Sequence, residues 1–312
     1  MIWALISEAA TSHKMKNGDS FSGLHPVVSF AYFAAVLLLT MFFMNPVCLV
    51  ITLAGAAAYA AALFGVRSLL KRTAVLLPVM LVTAAISVAF NHRGVTVLAW
   101  LPNGNPLTLE SAVYGAAAAV LLAAVISWFA CCNVVLTSDK FVYLFGRIIP
   151  SISLLLSMTL RFVPRFRTQA AVVANAQRCI GRGPDQGNLL QRMGNGLKIF
   201  SILVTWALEN AVDTADSMKS RGYGLPGRTA FSIYRFDRRS AAVLALVLAE
   251  GVYVAAGGIA GALKWSFYPA LVGAPLSGYS ISVYAVFFLL CVLPVGIDLW
   301  EDRKWTHSRS KV

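Results

Sequence analysis

The chain has 312 residues, of which 58% are hydrophobic and only 12% charged, and its formal net charge is +13. Ordinary soluble domains carry about 25% charged residues, so this composition excludes a soluble globular protein and indicates an all-α polytopic membrane protein. The basic excess follows the connections between apolar segments, as the positive-inside rule expects, so we predict the lipid bilayer, and no nucleic acid, as a partner.

Six apolar segments are long enough to cross a bilayer, which takes about 20 residues of helix. We expect residues 1–25 to form a cytoplasmic segment before the first of them. Four transmembrane helices are predicted within 26–131, two more within 240–300, and a cytoplasmic tail over 301–312. The six predicted spans are 26–45, 47–65, 73–91, 110–131, 240–262 and 281–300.

The connections between the spans predict their orientation. Asn45-Pro46 indicates a tight turn between the first two spans. The connection that follows the second span is basic and the tail is basic, so we expect both on the cytoplasmic side, whereas the turn-rich, nearly uncharged segment 101–106 should face out. Both termini are then cytoplasmic, and six spans satisfy the parity. The basic residues used here are Arg67, Lys71 and Arg72 in the connection, and Arg303, Lys304, Arg309 and Lys311 in the tail.

Residues 132–239 contain two further apolar runs, 141–160 and 199–212. The first is interrupted by Arg147 and Pro150. If both runs crossed the membrane, a strongly basic segment would lie outside, against the positive-inside bias. We therefore predict one cytoplasmic-side domain of long amphipathic helices, with apolar faces against the spans or the membrane interface. The segment between the two runs has one acid, Asp185, and these basic residues: Arg161, Arg165, Arg167, Arg178, Arg182, Arg192 and Lys198.

Two short arginine motifs lie in this basic region, Gly181-Arg182-Gly183 and Ser220-Arg221-Gly222. The pattern predicts helices over Phe166–Ile180 and Phe200–Ser220, each ended by glycine with proline soon after. An arginine at a helix C-terminus is also favoured simply by the helix dipole, which is a sufficient explanation for one such motif. Two motifs on adjacent helices favour docking, because a guanidinium can pair with a partner's carboxylate through two hydrogen bonds.

Four other residues of this region are predicted to have structural roles. Glu209 and Asp213 are four residues apart on the second helix and therefore share a face. Arg161 or Arg165 could pair with them. Pro164, the fourth of these residues, lies between the two arginines in the sequence.

No catalytic or metal-binding motif is evident. The sequence has no phosphate-binding loop of the G-x-x-x-x-G-K-[ST] type, no H-E-x-x-H and no G-x-S-x-G. The five cysteines are odd in number and lack C-x-x-C spacing, which argues against a disulfide framework or a zinc site. We expect no cofactor on this chain, and no clear charged site at mid-membrane, where Pro78 is the main interruption. These expectations argue against two alternatives, a stand-alone secondary transporter and a membrane-embedded enzyme.

Several stretches resemble the transmembrane T component of energy-coupling factor transporters, which are ABC-type importers. The most specific is Ala215-Asp216-Ser217-Met218-Lys219-Ser220-Arg221-Gly222-Tyr223-Gly224, which differs from the family's usual motif in having Ser220 in place of alanine. The others are Leu160–Pro164, Ala176–Arg178 and Gly181–Gly183. The resemblance covers about 140–235, and the spans match it in number and placement.

The resemblance implies a non-catalytic, energy-coupling scaffold in a prokaryotic cytoplasmic membrane. Arg182 and Arg221 would dock into two ABC ATPase subunits or one fused ATPase, which would bind ATP and Mg²⁺. Arg178 is an alternative to Arg182 as the first docking arginine, and Arg182 is preferred because a glycine follows it. A separate membrane protein, the S component, would bind a vitamin or trace metal. The chain alone would then neither hydrolyse ATP nor carry substrate.

Overall fold

The computed structural model describes residues 20–91, 93–100, 106–146, 150–223, 225, 234–275 and 277–309. Its helices, in chain order, are α1 (Pro26–Phe42), α2 (Pro46–Phe64), α3 (Val66–Phe90), α4 (Leu109–Val135), α5 (Ser138–Gly146), α6 (Pro150–Cys179), α7 (Leu189–Ser220), α8 (Arg238–Ile259) and α9 (Gly278–Arg309). Two short antiparallel hairpins connect helices. They are β1 (Val97–Trp100) with β2 (Pro106–Thr108), and β3 (Trp265–Ser266) with β4 (Val272–Gly273).

The prediction of an all-α polytopic membrane protein is confirmed. Among the residues described, five helices, α2, α3, α4, α8 and α9 as far as Glu301, are long and apolar enough to cross a membrane, and α1 is a shorter apolar helix of 17 residues. Only residues 43–45 separate α1 from α2, as the predicted tight turn requires, and Asn45 also caps α2, since its side-chain oxygen accepts a hydrogen bond from the Val47 N–H at 2.9 Å.

The third span begins earlier than predicted. Helix α3 starts at Val66, so Arg67, Lys71 and Arg72 lie in its first turns and not in a loop. The guanidinium of Arg72 lies 3.6 Å from the centre of the Phe64 ring, at the end of α2. Long basic side chains at the end of a span can extend to the polar interface while their stems stay on apolar surface, so these residues still indicate the side of the membrane.

The chain divides into two compact units. In the first unit, residues up to Thr137 and from Tyr234 onwards, α4 packs on α2 and α3, α9 packs on α2 and α8, and α1 packs on α8. An aromatic cluster forms its centre: Trp128 is fully buried, lies 6.0 Å from Tyr32 between ring centres, and donates its indole N–H to Thr52 at 3.0 Å. The second unit, Ser138–Ile233, contains α5, α6 and α7.

Connections of the first unit gather at two ends of its bundle. At one end, the Asn45 amide donates to the Leu263 carbonyl at 3.3 Å, and the Asn91 amide donates to the Tyr268 hydroxyl at 2.7 Å. The other end brings together contacts from three separate parts of the chain. They are Phe21 N–H with Asp298 at 3.1 Å, the ion pair of Arg239 with Glu301, and the rings of His25 and Phe236 at 5.0 Å.

Within the second unit, α6 and α7 are longer than the sequence indicated. Helix α6 begins at Pro150 and continues through Pro164, and α7 begins at Leu189 despite Gly194 and Gly196. The expected interruption of the 141–160 run falls between α5 and α6. Arg147 itself lies outside the described residues.

Candidate functional site

The first helix end, Cys179–Gly183, closes α6 with a regular glycine cap. The Gly181 N–H donates to the Arg178 carbonyl at 3.1 Å, and the Arg182 N–H donates to the Gln177 carbonyl at 2.9 Å. Gly181 has φ = 73°, in the left-handed region that side chains disfavour. This pair of bonds is a Schellman motif, so the predicted helix stop is confirmed.

The turn after this cap holds the side chain of Arg178. Its guanidinium pairs with Asp185 at 2.5 Å and donates to the Asn175 side chain at 3.1 Å. A Cβ atom on Gly183 would lie 2.6 Å from the Arg178 Cγ, so glycine is needed there to let this arginine side chain pass. Arg178 is therefore engaged within its own turn, although 48% of its side chain is exposed, and Arg182 is exposed as well.

The linker to α7 is fixed to the first turns of that helix. Asn188 and Gln191 form a capping box, with Gln191 accepting from the Asn188 N–H at 3.0 Å. The Asn195 amide donates to the Gly183 carbonyl at 3.1 Å. Since both helix start and linker are tied down, the first helix end has a defined position relative to α7.

The second helix end, Ser220–Tyr223, repeats the same cap at the end of α7. The Gly222 N–H donates to the Lys219 carbonyl and the Tyr223 N–H donates to the Met218 carbonyl, both at 3.0 Å. Gly222 has φ = 78°, and the side chain of Arg221 is exposed. Gly224, which the motif also contains, lies outside the described residues.

The two helix ends are far apart. Helix α7 has 32 residues, which corresponds to a length of about 48 Å if it is straight. The linker that carries the first helix end is bound to the start of α7, and the second helix end follows its last residue. Two separate recesses, or two separate proteins, are thus needed to contact both ends.

The predicted ion pairs between the helices are not formed. Arg161, Glu209 and Asp213 are exposed, and among the described residues no ion pair joins Arg161 or Arg165 to Glu209 or Asp213. The Arg165 guanidinium instead lies 5.8 Å from the centre of the Trp206 ring, and Phe166 packs edge-on against the same ring at 5.5 Å. Stacking on an aromatic face satisfies a guanidinium without a carboxylate.

Pro164 lies inside α6, and its carbonyl accepts from Thr168 at 3.1 Å.

An apolar groove lies beside this aromatic contact. It has a volume of about 310 Å³ and is open to the surface. Its lining residues, all apolar and from α6 and α7, are Phe166, Phe200, Leu203, Val204, Ala207 and Leu208. Exposed apolar surface of this kind marks contact with a membrane or another protein.

One ionisable residue lies inside a predicted span and is not among the residues that the sequence pattern singled out. Glu250 lies near the middle of α8, and its Oε2 atom is buried with no hydrogen-bond partner among the described residues. The expectation of no clear charged site within the spans is therefore wrong at this position. A single acid in an apolar run is visible in the sequence, but the burial of its oxygen depends on the neighbouring helices.

The described residues thus form an all-α, multi-pass membrane protein with two glycine-capped helix ends that expose side chains. The sequence is 34% identical over 106 residues to the energy-coupling factor transporter transmembrane protein EcfT 1 of Listeria monocytogenes, a match covering 33% of this chain and 40% of that protein. It is 34% identical over 91 residues to EcfT of Lactobacillus helveticus, with 29% of this chain and 33% of the relative covered. EcfT of Lactococcus lactis is 31% identical over 98 residues, covering 31% and 37%.

These relatives confirm the resemblance to the T component that the motifs indicated. In these matches the chain spans about two fifths or less of the length of the curated relatives. No family model matches the chain.

Proposed function

We propose that this chain is the transmembrane scaffold of an energy-coupling factor importer in a prokaryotic cytoplasmic membrane. The two glycine-capped helix ends would dock into two ABC ATPase subunits, or the halves of a fused one, which bind ATP and Mg²⁺. A separate S component in the membrane would capture a vitamin or trace metal. The observation that carries the proposal is the second helix end, where an exposed arginine directly precedes the left-handed glycine of the motif that most resembles the family.

The geometry of the helix ends supports docking. Arg221 is the last residue before the turn, so its guanidinium can extend beyond the helix, and Gly222 adds no side chain that would keep a partner's backbone away. A carboxylate in a partner's recess could accept two hydrogen bonds from this guanidinium. Closure of the ATPases on ATP binding would then move α6 and α7, provided that the two helix ends stay bound in both the open and the closed state of the ATPases.

The apolar surfaces supply the contacts for the membrane-embedded partner. The groove between α6 and α7 is apolar and open, and none of the described α3 residues is buried within the chain. We propose that the S component and lipid share these surfaces. Small shifts of packed helices would then be transmitted through these contacts from the ATPases to the S component.

Purification of the tagged chain from its native membrane tests this proposal. We expect ABC ATPases and a small membrane protein to copurify, and Arg221→Ala to reduce recovery of ATPase strongly, because loss of one partner of a buried charge pair costs about 2–5 kcal/mol. Lys198→Ala, an exposed basic residue within α7, is the matched control and should retain the ATPases. Full ATPase recovery and activity with the Arg182→Ala, Arg221→Ala double variant would contradict docking through these ends.

A further inference from the structure

The two helix ends can be aligned residue by residue through their caps. Each has the same two backbone hydrogen bonds and the same left-handed glycine, Gly181 in one and Gly222 in the other. Counting outward from these glycines gives four equivalent pairs. They are Cys179 with Ser220, Ile180 with Arg221, Gly181 with Gly222, and Arg182 with Tyr223.

In this alignment the cation occupies a different position at each helix end. At the second helix end the cation, Arg221, precedes the glycine and the aromatic Tyr223, 49% exposed, follows it. At the first helix end the apolar Ile180, 63% exposed, precedes the glycine and the cation Arg182 follows it. Arg182 and Arg221 are therefore not equivalent in space, although their tripeptides look alike.

Arg178 does not restore the equivalence. It lies two residues before Ile180, its guanidinium is paired with Asp185, and its stem passes over Gly183. The glycine after Arg182, which made Arg182 resemble a motif arginine, is thus explained by this local packing. The first helix end thus exposes Ile180 and, displaced by two residues, Arg182, together with the ion pair of Arg178 with Asp185.

We propose that the two helix ends bind unlike recesses, carried by two different ATPase chains or by two unlike halves of a fused chain. The recess for the second helix end has a carboxylate facing Arg221. The recess for the first helix end has an apolar pocket for Ile180 and a carboxylate displaced toward Arg182. One recess does not suit both ends, because a guanidinium placed in the apolar pocket would be desolvated without a partner. This inference rests on the proposed docking function.

Photocrosslinking from equivalent positions tests the inference. Cys179 is an exposed native cysteine, and its equivalent, Ser220, is also exposed. One protein keeps Cys179, and the matched variant combines Cys179→Ser with Ser220→Cys. Both carry Cys132→Ala and retain the buried Cys48, Cys131 and Cys291. Each is labelled with benzophenone maleimide in the intact complex, illuminated, and the crosslinked ATPase peptides are identified by mass spectrometry.

We expect the two positions to capture different ATPase chains, or non-equivalent segments of one fused chain. Capture of the same segment of the same chain from both positions would overturn the inference while leaving the proposed function intact. Absence of any ATPase crosslink from either position would contradict the proposed function itself, and the inference with it.

Exchange variants provide a second measurement. Ile180→Arg with Arg182→Tyr copies the second helix end onto the first, and we expect it to lower ATPase capture at Cys179 by about tenfold or more, as a loss of one well-fitted contact does. Ile180→Val is the conservative control and should retain capture. Unchanged or improved capture by the exchange variant, with unchanged thermal unfolding in detergent, would mean that the recesses are alike.

Discussion

Single residues at the helix ends decide where α6 and α7 stop and what they expose. The glycines supply the left-handed turn, and the residue just before each glycine is exposed at the end of its helix. At one end that residue is Ile180 and at the other it is Arg221. The position relative to the glycine, more than the presence of an arginine nearby, therefore defines the chemistry of each end.

Replacement of Gly222 by alanine should destabilise the protein, because a side chain at φ = 78° costs about 1–2 kcal/mol and a Cβ there would lie 3.1 Å from Leu225. The matched control is Gly196→Ala within α7. Its Cβ would meet no atom within 4 Å, so alanine should stabilise the helix by up to about 1 kcal/mol.

Thermal unfolding in detergent micelles measures both changes. We expect the midpoint to fall for Gly222→Ala and to stay level or rise for Gly196→Ala. Equal shifts in the same direction would show that the left-handed cap does not limit the stability of α7.

At the scale of elements, local signals explain the lengths of the two long helices of the second unit. The sequence pattern predicts a start at Phe200, and Gly194 and Gly196, which precede it, lower helix propensity. The capping box of Asn188 and Gln191 begins α7 eleven residues earlier, and its first turns are held by the linker. Several weak interactions thus outweigh two unfavourable residues.

Helix α8 holds the feature that best distinguishes the proposed scaffold from a secondary transporter. An ionisable residue inside a span marks proton or ion pathways in many membrane proteins, and Glu250 has such a position. In a scaffold no proton would cross the membrane at this residue. Proteoliposomes that contain the purified chain alone, with an imposed pH gradient and an internal pH-sensitive dye, measure the flux directly.

We expect no proton flux above that of protein-free liposomes, and no difference between the native chain and Glu250→Gln. Glu110→Gln is the control for substitution of a carboxyl that is already hydrogen-bonded, since Glu110 accepts from the Thr96 hydroxyl at 2.8 Å. Flux through the native chain that Glu250→Gln abolishes and Glu110→Gln preserves would favour the secondary-transporter alternative.

At the scale of the whole molecule, the contacts within the first unit group its connections into two sets. The connections near Asn45, Asn91 and Tyr268 meet at one end, and the segments near Phe21 and Arg239 meet at the other together with the last turns of the span in α9. This grouping is what six crossings of alternating direction produce. The charge pattern then predicts that the second set faces the cytoplasm.

Cysteine labelling of intact cells tests that orientation. In a background where the accessible Cys132 and Cys179 are replaced, we expect Gln186→Cys to react with an impermeant maleimide only after permeabilisation, because the basic second unit should be cytoplasmic. Val95→Cys, at a residue 72% exposed beside the β1–β2 hairpin, should react from outside. External labelling of Gln186→Cys would contradict the predicted topology.

The sequence alone determined the membrane class, the approximate spans and the two helix stops, because apolar length, glycine and proline act through local backbone rules. It also showed the family resemblance. Only the tertiary structure decided which side chains the caps expose. The equivalence of Ile180 with Arg221 is defined by the hydrogen bonds of the two caps, and the residue order of the two tripeptides does not show it. The engagement of Arg178 with Asp185 and the burial of the Glu250 oxygen were likewise beyond the sequence pattern. Both depend on side-chain packing across a turn or between helices, which residue spacing along the chain does not specify.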